Sequence, residues 1–425
     1  MRKPLSLPGP QNVVRQTLSN GLTVLVRENF DSPAVVLRGY LNVGAIDEPP
    51  ELAGLAGFCA DVMERGTVRR PFAVLYEELE SEALTLGLDA SEHSVFFAGK
   101  GLSESLPQLL DLLADILRQP AFDAEQVEKV RSEINTALLE RAHDTQRMAS
   151  LVFHELLYTR DHPYGRSNLG YPETIARITR EDLVRFHQTY FAPQGMVLVI
   201  VGAVKAVEAL RQVEAAFKDW RAARPPVPAL PPLPPLEAQE QHVFIPEKTQ
   251  LDLRLGWRGP ARKEPDFLAA YLANAVLGVF GMMGRLGEVV REENGLSYYV
   301  YSTLEGGLGP GPWQVIAGVD PTQARQAQTL ILQEIRRLRE DLVPEAELAD
   351  SQSMLVGSLP LQLETNEGVA RALVNIERHQ LGLDYLQRYR DLIMALKPED
   401  VQAAAQRWLD PERYVLAMAG PELPC

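Results

Sequence analysis

Arg291 and Tyr298 are the residues of this chain whose types and spacing most suggest chemistry. They lie in Gly284–Ser302, GRLGEVVREENGLSYYVYS. Leu286, Val289 and Val290 fall at i, i+3 and i+4, which predicts a helix with one buried face. Asn294-Gly295 ends it, because glycine enters the left-handed conformation without a Cβ penalty. Leu296–Tyr301 then predicts a strand, with Tyr298 and Val300 on one face. This arrangement brings a guanidinium fork close to a phenolic hydroxyl. Both donate hydrogen bonds of the kind that hold a carbonyl or an oxyanion. On spacing alone, an exposed Arg beside a half-buried Tyr is the plainer reading.

Metal-ligand patterns are weak. The histidines are His93, His143, His154, His162, His187, His242 and His379, and they do not cluster at ligand spacing. His154-Glu155-Leu156-Leu157-Tyr158 approaches a zinc motif, but Tyr158 stands where the second His is needed, so helical packing explains it better.

The elements around these residues are legible in order. Asn20-Gly21 is a hairpin-type turn before Leu22–Val26, and Ala34–Val43 is a second extended run. A helix is expected over 51–65, ending at Gly66. Leu52, Leu55, Cys59 and Val62 form its buried stripe, and Gly57, Asp61 and Glu64 lie opposite. Further helices are expected over 71–86, 103–118 (Ser103 as N-cap), 145–158 and 180–190, with a short strand at 95–98. Asp123-x-x-Gln126 resembles a capping box opening a long helix lined by Val127, Val130, Ile134 and Leu138. Met196–Val201, His242–Ile245 and Leu251–Trp257 predict strands.

Pro225–Pro235 holds seven prolines in eleven residues. Such a stretch is stiff and extended, roughly 30 Å long, and marks a domain boundary. The expected division is 1–223, a linker over 224–240, and 241–425. The halves also repeat. Arg177–Gly202 aligns without a gap on Ala395–Gly420, with Glu181/Glu399, Asp182/Asp400, Gln188/Gln406, Pro193/Pro411, Val197/Val415, Leu198/Leu416 and Gly202/Gly420 identical. Each copy reads as a capped helix, a proline turn and an apolar strand. The fold class expected is α+β: two similar domains, each a mixed, largely antiparallel sheet with helices packed on one face.

Composition bounds the rest. At 425 residues the chain exceeds one ordinary core. With 23% charged and 46% hydrophobic residues it has a globular balance. A net charge of −15 argues against nucleic acid and anionic membranes as partners. The start, MRKPLSLPGP, has two basic residues and no apolar run, which does not read as a signal peptide. The cysteines are Cys59 and Cys425, so no disulfide framework is expected and a cytoplasmic location is.

The chain resembles the pitrilysin/insulysin/mitochondrial processing peptidase family of zinc peptidases. The resemblance rests on SNGLTVLV, on GLAGFCADVMERGT (Gly54–Thr67), on HPYGRSNLG (His162–Gly170) and on Gly284–Ser302. It implies two similar α+β domains. It also implies that a His-x-x-Glu-His motif should occupy Gly57, Ala60 and Asp61, and that a third ligand, Glu, should occupy Leu138. None of those residue types is present. Arg291 and Tyr298 do match, in type and spacing, a family pair that holds the substrate backbone and the oxyanion. The resemblance therefore implies the non-zinc subunit of a heterodimeric zinc metallopeptidase. It would act on a peptide with a paralogous partner carrying His-x-x-Glu-His, with zinc expected on that partner and no cofactor in this chain. A non-enzymatic scaffold or peptide-recognition subunit of the same fold is the alternative.

Overall fold

The computed structural model describes residues 6–423; Cys425 lies outside the described residues. Two sheets dominate. The first contains β1 (Val14–Thr17), β2 (Thr23–Glu28), β3 (Ala34–Leu41), β4 (Thr85–Ala90), β5 (Val95–Leu102) and β6 (Val197–Gly202), in the order β1-β2-β6-β3-β5-β4. Its pairings are antiparallel except β2 with β6. The second contains β7 (Gln239–Phe244), β8 (Leu251–Arg258), β9 (Ser297–Leu304), β10 (Pro312–Val319) and β11 (Val415–Gly420), in the order β7-β11-β8-β10-β9. There too one pairing, β7 with β11, is parallel. The two orders match strand for strand once β1 is set aside, so β4 and β9 are equivalent edge strands. The fold is α+β and internally duplicated, as the aligned repeats require. Arg180–Tyr190 and Pro398–Trp408 are the equivalent helices. Gly202 and Gly420 end the equivalent strands at φ of 151° and 153°.

Two compact units emerge. Within the described residues, one comprises 6–138, Ser167–Ala229 and Pro360–Gln387; the other comprises Leu139–Arg166, Leu230–Leu359 and 388–423. Each sheet therefore gathers one helical segment from the other half of the sequence. In the first unit, helices α1 (Leu55–Met63), α2 (Phe72–Ser81), α3 (Leu106–Arg118) and α4 (Ala124–Ala142) contribute to a core that includes Leu37, Phe97, Leu109 and Leu138. The helix Asn366–His379 packs on β3 and β6. In the second unit, the helix Phe267–Gly278 lies over β9, while α5 (Thr145–Tyr158) covers β8 and β11. Alternation on β8 explains both coverings: Leu251, Leu253, Leu255 and Trp257 enter the main core, and Asp252, Arg254 and Arg258 point the other way.

Local differences have local causes. The expected helix over 51–65 is split: a 3₁₀ turn occupies Pro50–Leu52, and α1 starts only after Gly54, at φ 94°. The Glu48 carboxylate, 3% exposed, accepts from Gly54 N at 3.1 Å and Ala56 N at 3.0 Å and so caps α1. The expected 71–86 helix ends at Ser81, and its last residues belong to β4. Ser103 does not cap α3, because it opens a 3₁₀ turn and its N–H donates to Pro33 O. Asp123 does cap α4, accepting from Glu125 N and Gln126 N. Glu48→Ala leaves two buried N–H donors without their carboxylate. It should lower stability by about 1.5–3 kcal/mol in urea denaturation, and Glu48→Gln should lower it less.

Candidate functional site

Arg291 sits in a π-helical segment, Gly287–Glu293, not in the regular helix that the spacing suggested. The segment before it is irregular: Gly281, Met282, Met283 and Gly284 all have non-helical backbone angles. Leu286 and Val290 are fully buried and hold the segment to the core, while Val289 is only half-buried. Arg285, 5% exposed, anchors it further through two 2.7 Å bonds to the Glu347 carboxylate. Gly295, at φ 63°, closes the segment as expected: Gly295 N donates to Arg291 O and Leu296 N to Val290 O. Wide π-turns are rare and collect at functional sites.

Tyr298 departs from the expected alternation. Val300 is fully buried, yet Tyr298 is 82% exposed. The cause is a β-bulge. Tyr299 pairs with Gly318 and Ser297 with Val319, so Tyr298 is the extra residue with no partner across the ladder. A bulge re-aims one side chain without disturbing the rest of the strand. The Arg291 guanidinium carbon lies 5.9 Å from the Tyr298 ring centroid, within cation–π range. Arg291 Nε is 3.4 Å from Glu292 Oε1, and the Arg291 side chain is 29% exposed. The Tyr298 hydroxyl has no protein hydrogen-bond partner among the described residues. The structure thus brings Arg291 and Tyr298 together and leaves the hydroxyl open to a ligand.

The residues opposite the α1 core stripe are arranged differently. A Cβ at Gly57 would lie 2.8 Å from Asn168 O, closer than real side chains approach. Gly54 meets Gly170 in the same way, at 2.7 Å from its Cα. Here α1 and the 168–170 loop touch backbone to backbone. Ala60 is 1% exposed and Leu138 is 5% exposed, both in the core. Asp61 is exposed, but partial desolvation, and then the carboxylates of Asp89 and Glu133, push its pKa up to about 6 against the pull of Arg65. Glu64 accepts the backbone N–H of Leu88 on β4, and burial, the larger effect, carries its pKa up to about 7. His154 donates from Nδ1 to Ser150 O, one turn earlier, and Tyr158 is buried with its hydroxyl on Pro310 O, so that motif is a packed helix face. Among the described residues, no three His, Cys, Asp or Glu side chains are grouped to hold a metal ion.

Two family models match in tandem. The model described as insulinase (peptidase family M16) matches residues 23–168, and the one described as the peptidase M16 inactive domain matches 177–355. The chain belongs to the M16 peptidase family. An uncharacterized zinc protease of Streptomyces coelicolor is 28% identical across 97% of this chain and 90% of its own length. One from Bacillus subtilis is 26% identical across 96% and 98%. The crystal structure of a peptidase M16 inactive domain from Pseudomonas fluorescens shares the fold. Its TM-score is 0.90 at 23% identity, covering 97% of this chain and 98% of that one.

M16 membership raises the question of zinc, and the residues here do not fit it. A glycine with no room for a side chain, a buried alanine, an aspartate and a buried leucine cannot form a tetrahedral nitrogen and carboxylate set. Three features escaped the sequence reading: the backbone contact at Gly57, the bulge at Tyr298, and the Glu64–Leu88 bond. Only the first left a signal, namely glycines at 54 and 57 flanking the start of a helix. Gly57→Ala should cost about 1–3 kcal/mol by forcing the 168–170 loop away. The combined Gly57→His, Ala60→Glu, Asp61→His, Leu138→Glu chain should fail to retain stoichiometric zinc by elemental analysis. Folding raises the Glu64 pKa, so the native state holds the proton more firmly, and stability falls as pH rises from about 4.5 to about 7. Glu64→Gln should flatten that part of the profile, with its advantage over wild type growing through the same window.

Proposed function

We propose that this chain is the non-zinc subunit of a heterodimeric M16 metallopeptidase, supplying Arg291 and Tyr298 to a peptide being hydrolysed. The observation that carries the reading is the unlike fate of the two motifs. Gly57 on α1 is closed by backbone and Ala60 and Leu138 by core packing, leaving Asp61 alone exposed, while Tyr298 is lifted out of β9 by a bulge with Arg291 against its ring. A structural tyrosine would follow the alternation and bury its ring beside Val300. The partner is a paralogous M16 subunit with an intact His-x-x-Glu-His motif, and zinc is expected there. The Tyr298 hydroxyl and the Arg291 guanidinium donate hydrogen bonds to the substrate carbonyl as it gains negative charge. Alone, the chain is inactive. The setting is cytoplasmic, and the substrate is an extended peptide.

The second reading, a peptide-recognition or scaffold subunit without a catalytic role, is favoured by the same closed metal positions. It gives no reason for the exposed hydroxyl.

The experiment is reconstitution with a zinc-bearing M16 paralogue and steady-state peptide hydrolysis. Tyr298→Phe removes one donor and keeps the ring. It should lower kcat about 10²–10³-fold with KM little changed. Arg291→Gln should affect kcat and KM together. An unchanged kcat in Tyr298→Phe, with the complex intact, supports the scaffold reading.

A further inference from the structure

The edge strand β4 carries a contact that the catalytic reading does not use. In an antiparallel ladder, alternate residues turn their N–H and C=O groups outward. Ser91 N donates to Ser94 O across the β4–β5 turn, and Leu88 N donates to Glu64. These two bonds fix the phase: Leu86, Leu88 and Ala90 present their backbone groups to the open side of the sheet. All three are half-buried. The Leu88 donor, at the centre of this edge, is occupied by a carboxylate oxygen of Glu64, which follows α1. The packing is close, since a Cβ at Gly87 would lie 3.8 Å from Glu64 Oε1. The equivalent edge of the second sheet is capped too: Val300 N on β9 donates to Met283 Sδ at 3.4 Å.

An unpaired strand edge is a template for another strand, and proteins blunt such edges with charged side chains. A carboxylate oxygen on an outward N–H stands where the carbonyl oxygen of an added strand would stand. We propose that Glu64 is a latch on β4, holding the Leu88 N–H and closing this edge to an extended polypeptide until the polypeptide displaces it. The occupant is a polypeptide because what is withheld is a strand's own backbone donor. The inference rests on the reading of the chain as a peptide-handling subunit. Its test needs no partner and no catalysis, so the two can fail separately. Capped, the edge is weak for a neutral segment. A segment carrying Lys or Arg opens it more readily, since the displaced Glu64 can pair with that side chain.

The latch is sensitive to pH. Asp61 on α1 and Asp89 on β4 bear on the same group, and Arg65, paired with Glu133 of α4 at 2.6 Å, opposes them. As pH falls through about 7, Glu64 gains a proton, its hold on Leu88 N–H weakens, and the edge opens.

The probe is a fluorescein-labelled, amidated ten-residue Val/Thr/Ser peptide without titratable side chains, followed by anisotropy against the full chain at pH 8. Glu64→Ala should bind it at least about tenfold more tightly than wild type, the worth of a hydrogen bond to a charged group. Methylating alternate backbone nitrogens of the peptide should abolish that gain. Lowering the pH to 6 should tighten wild type toward Glu64→Ala and leave the variant flat. Equal affinity in the two proteins, or binding that survives methylation in both registers, overturns the proposal. So does sedimentation showing that Glu64→Ala pairs with itself instead of the peptide. Circular dichroism and a single cooperative thermal transition confirm that the variant is folded.

Discussion

The constraint that organises this molecule is a contact between two stretches of backbone. Helix α1 and the loop at 168–170 approach so closely that Gly54, Gly57 and Gly170 can carry no side chain. Close backbone approach is one of the few jobs that only glycine performs. Here it uses the helix face that a metal motif would need, and the consequence is steric before it is chemical. A ligand at 57 is not merely missing, because the room for one has been filled by Asn168 O. The buried Glu48 carboxylate fixes the start of the helix against this contact, and the Arg70 guanidinium, held by Glu78, Asp111 and Asp115, fixes the turn after it.

The same chain spends strain and irregularity at a different place. Around Arg291 the backbone is π-helical, four residues before it leave helical angles, and the following strand bulges. Such features persist only where the surroundings over-determine them. The buried Leu286 and Val290 and the Arg285–Glu347 pair supply that determination. Order is thus concentrated on holding the half-buried Arg291 beside the exposed Tyr298, while Ala60 and Leu138 lie in ordinary core packing. The duplicated topology makes the comparison direct, because β4 and β9 are equivalent edges and each carries its own side-chain cap.

Much of the framework was legible in the sequence. Helices at 145–158 and 180–190 lie where the sequence places them, and the repeat anticipates the matched strands β6 and β11. Arg291 and Tyr298 were legible as types and spacing. Their geometry was not, for a definite reason. A bulge is one residue added to a pairing, so it belongs to two strands at once and leaves no mark on either. Strand β4 was hidden similarly: TLGLDA is short, half-exposed and half made of weak strand formers, and it is a strand because β5 pairs with it. The Glu64–Leu88 bond depends on that pairing and could not be read before it. Gly57 was visible as a position without the expected ligand, and with Gly54 as a hint of close approach, but nothing in the sequence identified the Asn168 carbonyl in its place.

The central claim is division of labour: closed metal positions in this chain, exposed donors, and a metal held by a partner. It is tested most directly by titrating this chain into a fixed amount of a zinc-bearing M16 paralogue and following zinc content and peptide hydrolysis together. The account predicts activity that rises from near zero and saturates at one to one, with a single zinc per pair. Stoichiometric zinc and hydrolysis in this chain alone, or a paralogue already fully active without it, would contradict the account.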